Sequence, residues 1–306
     1  MTIKVIGHRG NGRTTETPFA AGKAPQQTLL SFKEAIAQGA EGVEFDVFLS
    51  RDMIPVIIDK NTIGSHLVAD LDCNEIQGIV LPGNQTIPTL EQALILLNDL
   101  NTARKTPEPL FINVELKGPS VVEPTLRVVD NVARQFGLDR NILHYSTTDR
   151  DKLSLVRELD RDAHIQPTII TTQLFHPKAI QQPGYYVGAS EAYNKTALNE
   201  LSKYIRNKGC SAIDTPTSDI RRPLLDMAER LGVGFCTHPS GPRRREGAEG
   251  LYNTVALLDE FSRSAGKVVI KVDDIAAARS VIASAKAARP CPVKKLERMM
   301  GAHFIV

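Results

Sequence analysis

The chain has 306 residues, 42% of them hydrophobic, enough to bury a large core in a soluble globular protein. Its 37 basic and 35 acidic residues leave a net charge of +2, too balanced for the extended field that nucleic-acid or membrane-surface binding needs, so any anion it binds is held locally. Cys73, Cys210, Cys236 and Cys291 are too widely spaced for a zinc cluster or a disulfide framework, and with neither a signal-like core nor a stretch of membrane-spanning length the expected location is the cytoplasm.

In chain order, short apolar strands are predicted over residues 3–8, 42–48, 110–117, 142–146, 164–170, 211–215, 233–238 and 267–272. Amphipathic helices are predicted between them, over 29–38, 90–97, 121–136, 149–159, 195–208, 221–231, 251–264 and 274–286. Eight such βα units predict an α/β fold closed as a (β/α)8 TIM barrel, with 1–306 as a single domain. Residues 54–58 break the rhythm. They follow the second strand after only five residues, too few for a parallel crossover, so they are expected to fold back as a small hairpin insertion.

The densest chemical signal is Val43-Glu44-Phe45-Asp46-Val47. Residues two apart on a strand share a face, so Glu44 and Asp46 converge while the apolar residues pack behind them. Two carboxylates so close repel, and the pair is tolerable only if a cation bridges them or one of them is protonated. A third acid, Glu115, lies at the end of the next predicted barrel strand, and an all-oxygen set favours Mg2+ or Ca2+ over zinc. In a βα barrel the carboxyl ends of the strands form the active face. His8, Glu44, Asp46, Glu115, Lys117, Ser146 and His238 all fall there, a distribution that packing does not explain.

Five short motifs occur in a fixed order: His8-Arg9-Gly10, Glu44-x-Asp46, Ser50-Arg51-Asp52, Ile87-Pro88-Thr89-Leu90-Glu91 and Glu115-Leu116-Lys117. Together they resemble the glycerophosphodiester phosphodiesterase family, densely over residues 3–118 and more loosely beyond. The resemblance implies metal-dependent hydrolysis of a small phosphodiester to a phosphomonoester and an alcohol. It implies Glu44, Asp46 and Glu115 as metal ligands, Arg9 and Lys117 on phosphate oxygens, and His8 as an acid–base residue. The expected cofactor is a divalent cation, Mg2+ or Ca2+, and the expected partner a small phosphodiester, with neither nucleic acid nor membrane insertion.

The chain departs from the family pattern at two places. A second histidine expected at the end of the hairpin strand is replaced by Ile58, ahead of Asp59, and the family's Pro-Glu-Asn-Thr reads Pro25-Gln26-Gln27-Thr28. His238 is the preferred substitute for the missing histidine, His144 reads as a core residue, and His66 and His176 belong to loops. Glu16 is a candidate for the lost charge. The long stretch 171–194, with Tyr185, Tyr186, Tyr193 and several glutamines, is expected to line a pocket wall for a sugar or glycerol moiety, and Arg243, Arg244 and Arg245 to face the same mouth. The changes suggest sugar phosphodiesters, including agrocinopine-type compounds, cleaved or formed by a related transferase; the competing reading is a barrel that binds a phosphate ligand without catalysis. Residues 294–300 are read in two ways, as packing on a second subunit in a homo-oligomer or as covering the bottom of their own barrel.

Overall fold

The computed structural model describes residues 3–12, 14, 23–169, 195–217, 220, 222–238, 255 and 267–287. Eight parallel strands carry the architecture: β1 (Ile3–Gly7), β2 (Gly42–Leu49), β3 (Phe111–Leu116), β4 (Leu143–Thr147), β5 (His164–Pro167), β6 (Ala212–Pro216), β7 (Gly234–His238) and β8 (Val268–Val272). Their order in the sheet is β5-β4-β3-β2-β1-β8-β7-β6. The two ends meet through Ser211 N–H to Ile165 O at 2.9 Å and Ile169 N–H to Asp214 O at 2.7 Å, which closes the predicted TIM barrel.

Among the described residues seven helices flank the strands: α1 (Leu29–Ala37), α2 (Leu90–Ala103), α3 (Val122–Phe136), α4 (Arg150–Leu159), α5 (Lys195–Lys208), α6 (Arg222–Leu231) and α7 (Ile275–Ala287). Of the helix predicted over 251–264, only Val255 is described, and it is helical and buried. Outward-facing strand residues supply the main core. Val43, Phe45 and Val47 of β2 join Phe32 and Ala35 of α1, with the Phe32 and Phe45 rings 5.5 Å apart. Each fully buried ring or branched side chain contributes about 2 kcal/mol, so this shell holds β2 firmly while its acidic face points inward. Cys73, Cys210 and Cys236 are buried, as expected of small core residues, and Cys291 lies outside the described residues.

β2 runs on past the barrel and pairs antiparallel with Pro55–Ile57, the hairpin that the short connection required. The insertion has its own small core of Val56, Val68, Cys73, Ile76 and Ile87, against which Ile58 and Phe48 pack. Among the described residues no helix is long and apolar enough to cross a membrane.

At the amino-terminal end of the barrel interior, the rings of Phe111, His144 and His164 form a stack, with centroid spacings of 3.7 and 4.7 Å. Burial first, then His164, Lys267 and Lys4, holds the His144 imidazole well below its ordinary value, and burial with Lys267 and Arg157 lowers His164. In the unfolded chain both titrate near pH ~6.5. The unfolded state therefore binds more protons below that pH, and folding stability falls as the solution is acidified. His144→Phe, which keeps the stack, is expected to lose less melting temperature than the parent between about pH 7 and about pH 5.5. Parallel losses in the two proteins, followed by calorimetry, would remove His144 from this role.

Candidate active site

The turn after β1 begins the site. Arg9 sits at φ 54° and Gly10 at φ 88°, a left-handed pair that swings the chain across the barrel mouth. A side chain at Gly10 would lie 2.4 Å from Ser31 Oγ, so glycine is required where the turn meets α1. The start of α1 locks the turn in place: the Thr28 side chain accepts from Ser31 N–H, while Ser31 Oγ accepts from Asn11 N–H at 2.8 Å and donates to Arg9 O.

Gln27, also left-handed at φ 63°, donates its backbone N–H to Arg9 O at 3.0 Å. Both strained residues then reach the same carboxylate. Gln27 Nε2 donates to Asp46 Oδ2 at 2.6 Å, and Arg9 Nε lies 3.6 Å from that oxygen. Arg9 N–H donates to Glu44 Oε2 at 2.9 Å, and its guanidinium pairs with Asp59 at 2.7 Å. The charge lost from Pro25-Gln26-Gln27-Thr28 belongs to position 26, where Gln stands for the family's Glu. Gln26 turns away and exchanges hydrogen bonds with Thr14, so the amide that faces the acidic cluster is Gln27.

β2 and β3 bring the three acids together because Asp46 pairs in register with Glu115 and both project inward. One ligand oxygen from each of Glu44, Asp46 and Glu115 lies within 4.8 Å of the others. Glu44 and Asp46 are 2% exposed. Burial, followed by the charges of Glu44 and Glu115, pushes the Asp46 carboxyl well above its ordinary range, against the pull of Lys117 and Arg9. Lys117 Nζ pairs with Glu115 and lies 3.3 Å from Asp46; burial alone would lower its pKa, but the two carboxylates outweigh it and keep the ammonium charged. Three converging carboxylate oxygens, those of Glu44 and Asp46 buried and that of Glu115 partly so, fit a hard divalent cation in donor type and in charge.

His8 stands beside this cluster, its Nε2 3.9 Å from Glu44 Oε2. Ile58 N–H donates to Asp46 O at 3.1 Å, so its backbone borders the site, while its side chain packs on the insertion's small core. His238 ends β7, with Nδ1 3.9 Å from Asp214 Oδ1, and among the described residues no hydrogen bond or ion pair joins it to the acidic cluster. Ser146 is buried and accepts from Asn113 Nδ2 at 2.8 Å, and His66 lies in an exposed hairpin of the insertion. Glu16, His176, residues 171–194, Arg243, Arg244, Arg245 and residues 294–300 lie outside the described residues.

The sequence reading missed a buried pair beneath the mouth. Lys271 Nζ donates to both oxygens of Asp214, at 2.9 and 2.7 Å, and Thr168 Oγ1 donates to one of them. Burial would raise the Asp214 pKa, yet Lys271 and His238 hold it well below the carboxylate range. The available signal was one charge in each of two otherwise apolar strands, Val268 to Val272 and Ala212 to Ile213 and beyond.

Residues 8–228 match the family described as glycerophosphoryl diester phosphodiesterase. The chain belongs to this family. It is 27% identical over 172 residues to the glycerophosphodiester phosphodiesterase of Caldanaerobacter subterraneus, covering 50% of this chain and 64% of that one. To the glycerophosphodiester phosphodiesterase of Bacillus altitudinis it is 28% identical over 201 residues, 60% of this chain and 74% of the relative. The match to a Mycobacterium tuberculosis relative spans 47% of that protein, about half its length. Among solved structures, a glycerophosphodiester phosphodiesterase from Parabacteroides distasonis superposes with a TM-score of 0.64 at 16% identity, covering 94% of this chain and 98% of that one. A phosphodiesterase from Oleispira antarctica, in complex with the product sn-glycerol-3-phosphate, gives 0.63 at 17%, covering 93% and 97%. Both share the fold of this family member.

Proposed function

We propose that this protein is a metal-dependent phosphodiesterase acting on a small phosphodiester, a glycerophosphodiester or sugar phosphodiester, to give a phosphomonoester and an alcohol. The observation that carries the reading is the convergence of Glu44, Asp46 and Glu115 with His8, Arg9 and Lys117 at one barrel mouth. The product complex of the Oleispira enzyme supports the substrate class. Glu44, Asp46 and Glu115 would hold Mg2+ or Ca2+, which supplies Lewis-acid stabilisation of the phosphoryl oxygens.

The chain's own groups cover the remaining chemistry. Attack on phosphorus places negative charge on the equatorial oxygens, and Arg9 and Lys117 are the cations at hand to meet it. A hydroxyl forms the new P–O bond as the bond to the leaving alcohol breaks: water gives the phosphomonoester directly, whereas a hydroxyl of the substrate gives a cyclic phosphodiester that water then opens. His8 takes the proton of the attacking hydroxyl, and His238 returns one to the leaving alkoxide. Ile58 favours a substrate other than the family's common glycerophosphodiesters, such as a sugar phosphodiester of agrocinopine type or its synthesis by transfer to a sugar hydroxyl. It is also the feature that favours a non-catalytic binder.

Turnover of a panel of glycerophosphodiesters and sugar phosphodiesters with Mg2+ or Ca2+ tests the reading, with His8→Ala as control. Cleavage that disappears in the control is the expected result; metal-dependent binding without turnover would replace the enzyme with the binder. His238→Ala is expected to slow an alkyl diester about a hundredfold and an activated aryl ester far less, because only the alkyl alkoxide needs a proton. Equal losses on both esters would reject His238 as the acid.

A further inference from the structure

The ring of His8 is held from its far side by a residue that the motifs at the other strand ends do not include. His8 Nδ1 lies 2.8 Å from Asp273 Oδ1, at the residue immediately after β8. We infer that Asp273 is the positioning residue that keeps the Nδ1–H of His8 and leaves Nε2 as the proton acceptor of the reaction; this rests on the role given to His8 above.

The backbone around both partners is fixed. His8 N–H donates to Val272 O at 2.9 Å, which aligns the end of β1 with the end of β8. Lys23 Nζ donates to the carbonyls of Asn11 and Asp273, each at 3.2 Å, tying the returning loop to the same spot. Gly12, at φ 91°, lets that loop approach so closely that a Cβ there would stand 2.2 Å from the Asp273 carbonyl oxygen. The His8–Asp273 contact is thus clamped from the backbone rather than left to two free side chains.

The chemistry of the contact sets the tautomer. An ionised carboxylate only accepts hydrogen bonds, so Nδ1 must carry the hydrogen and Nε2 the lone pair. Nε2 is the nitrogen on the side of Glu44 and the acidic cluster, where the phosphate would lie. When the attacking hydroxyl forms its bond to phosphorus, its proton passes to Nε2, and the carboxylate of Asp273 faces the positive charge that spreads over the ring. This assigns His8 to the attacking side of the reaction and leaves protonation of the departing alkoxide to another group.

Asp273→Ala is the test, with Asp273→Asn as a variant of equal size to guard against a folding defect. Two readouts are taken on the full chain. Nitrogen chemical shifts of the His8 imidazole, assigned by difference from His8→Ala, are expected to show hydrogen on Nδ1 in the parent and a shift of population to Nε2–H in Asp273→Ala. The kcat is expected to fall on the order of a hundredfold with KM little changed, and equally for alkyl and aryl leaving groups, since both need the attacking hydroxyl deprotonated. An unchanged tautomer in both folded variants overturns the inference, as does a loss confined to alkyl esters. The nuclear magnetic resonance result decides it even if the parent proves to turn nothing over, so a failure of the phosphodiesterase reading is distinguishable from a failure of this one.

Discussion

Asp46→Asn is expected to raise the stability of the protein stripped by chelator and to lower that of the protein in excess divalent cation. Asp46 is 2% exposed and lies within ligand reach of Glu44 and Glu115. Its charge is disfavoured by burial and by both neighbours, with Lys117 and Arg9 giving partial relief. An amide of the same shape removes the repulsion and keeps the side chain's size, so the metal-free fold gains. The same change removes one of three anionic ligands. A cation at a hundred times its dissociation constant stabilises a folded protein by about 2.7 kcal/mol, and that increment is expected to vanish in the variant. Turnover is expected to fall at least about a thousandfold, since charge stabilisation by a metal is worth several kcal/mol. Melting curves with cation and with chelator, beside an activity assay, check both halves. Activity that survives chelator in the parent would sink the metal assignment, and destabilisation of the stripped variant would mean that Asp46 is a structural partner of Lys117 instead.

The second large effect concerns Lys271→Met. Lys271 and Asp214 are 3% and 0% exposed and meet at 2.7 and 2.9 Å inside the barrel. Two buried charges gain little net stability from each other, because desolvation offsets most of the attraction. Removing one is different. It leaves Asp214 without its buried ammonium partner in a dry interior, with Thr168 Oγ1 still donating to it and His238 Nδ1 3.9 Å away. The expected loss is about 3–5 kcal/mol in denaturant unfolding. The double variant Lys271→Met with Asp214→Asn removes both charges and is expected to recover most of that loss. A single variant within about 1 kcal/mol of the parent would show that the pair is not held dry. Burial pushes the pKa of the nearby Cys236 thiol up, so it is a neutral neighbour of the pair.

Much of this was legible in the sequence, for identifiable reasons. Strand and helix periods follow from which face of each element is apolar, so the order of the eight βα units and the closed barrel could be read from the chain. The brevity of the connection after β2 excluded a parallel crossover and required a hairpin, which Pro55–Ile57 forms. Glu44 and Asp46 share a face by local geometry alone, and Glu115 joined them because a parallel barrel aligns neighbouring strand ends.

What the chain could not disclose by itself is which distant side chains share a hydrogen bond. Asp273 meets His8 across 265 positions, and Lys271 meets Asp214 across 57. Gln27, rather than Gln26, reaches Asp46 because a left-handed backbone at position 27 turns one amide in and the other out. Local pattern decides the face on which a residue lies, since strand and helix periods are properties of the backbone. Barrel closure decides its partner, because contact across the interior depends on the register and stagger of all eight strands together.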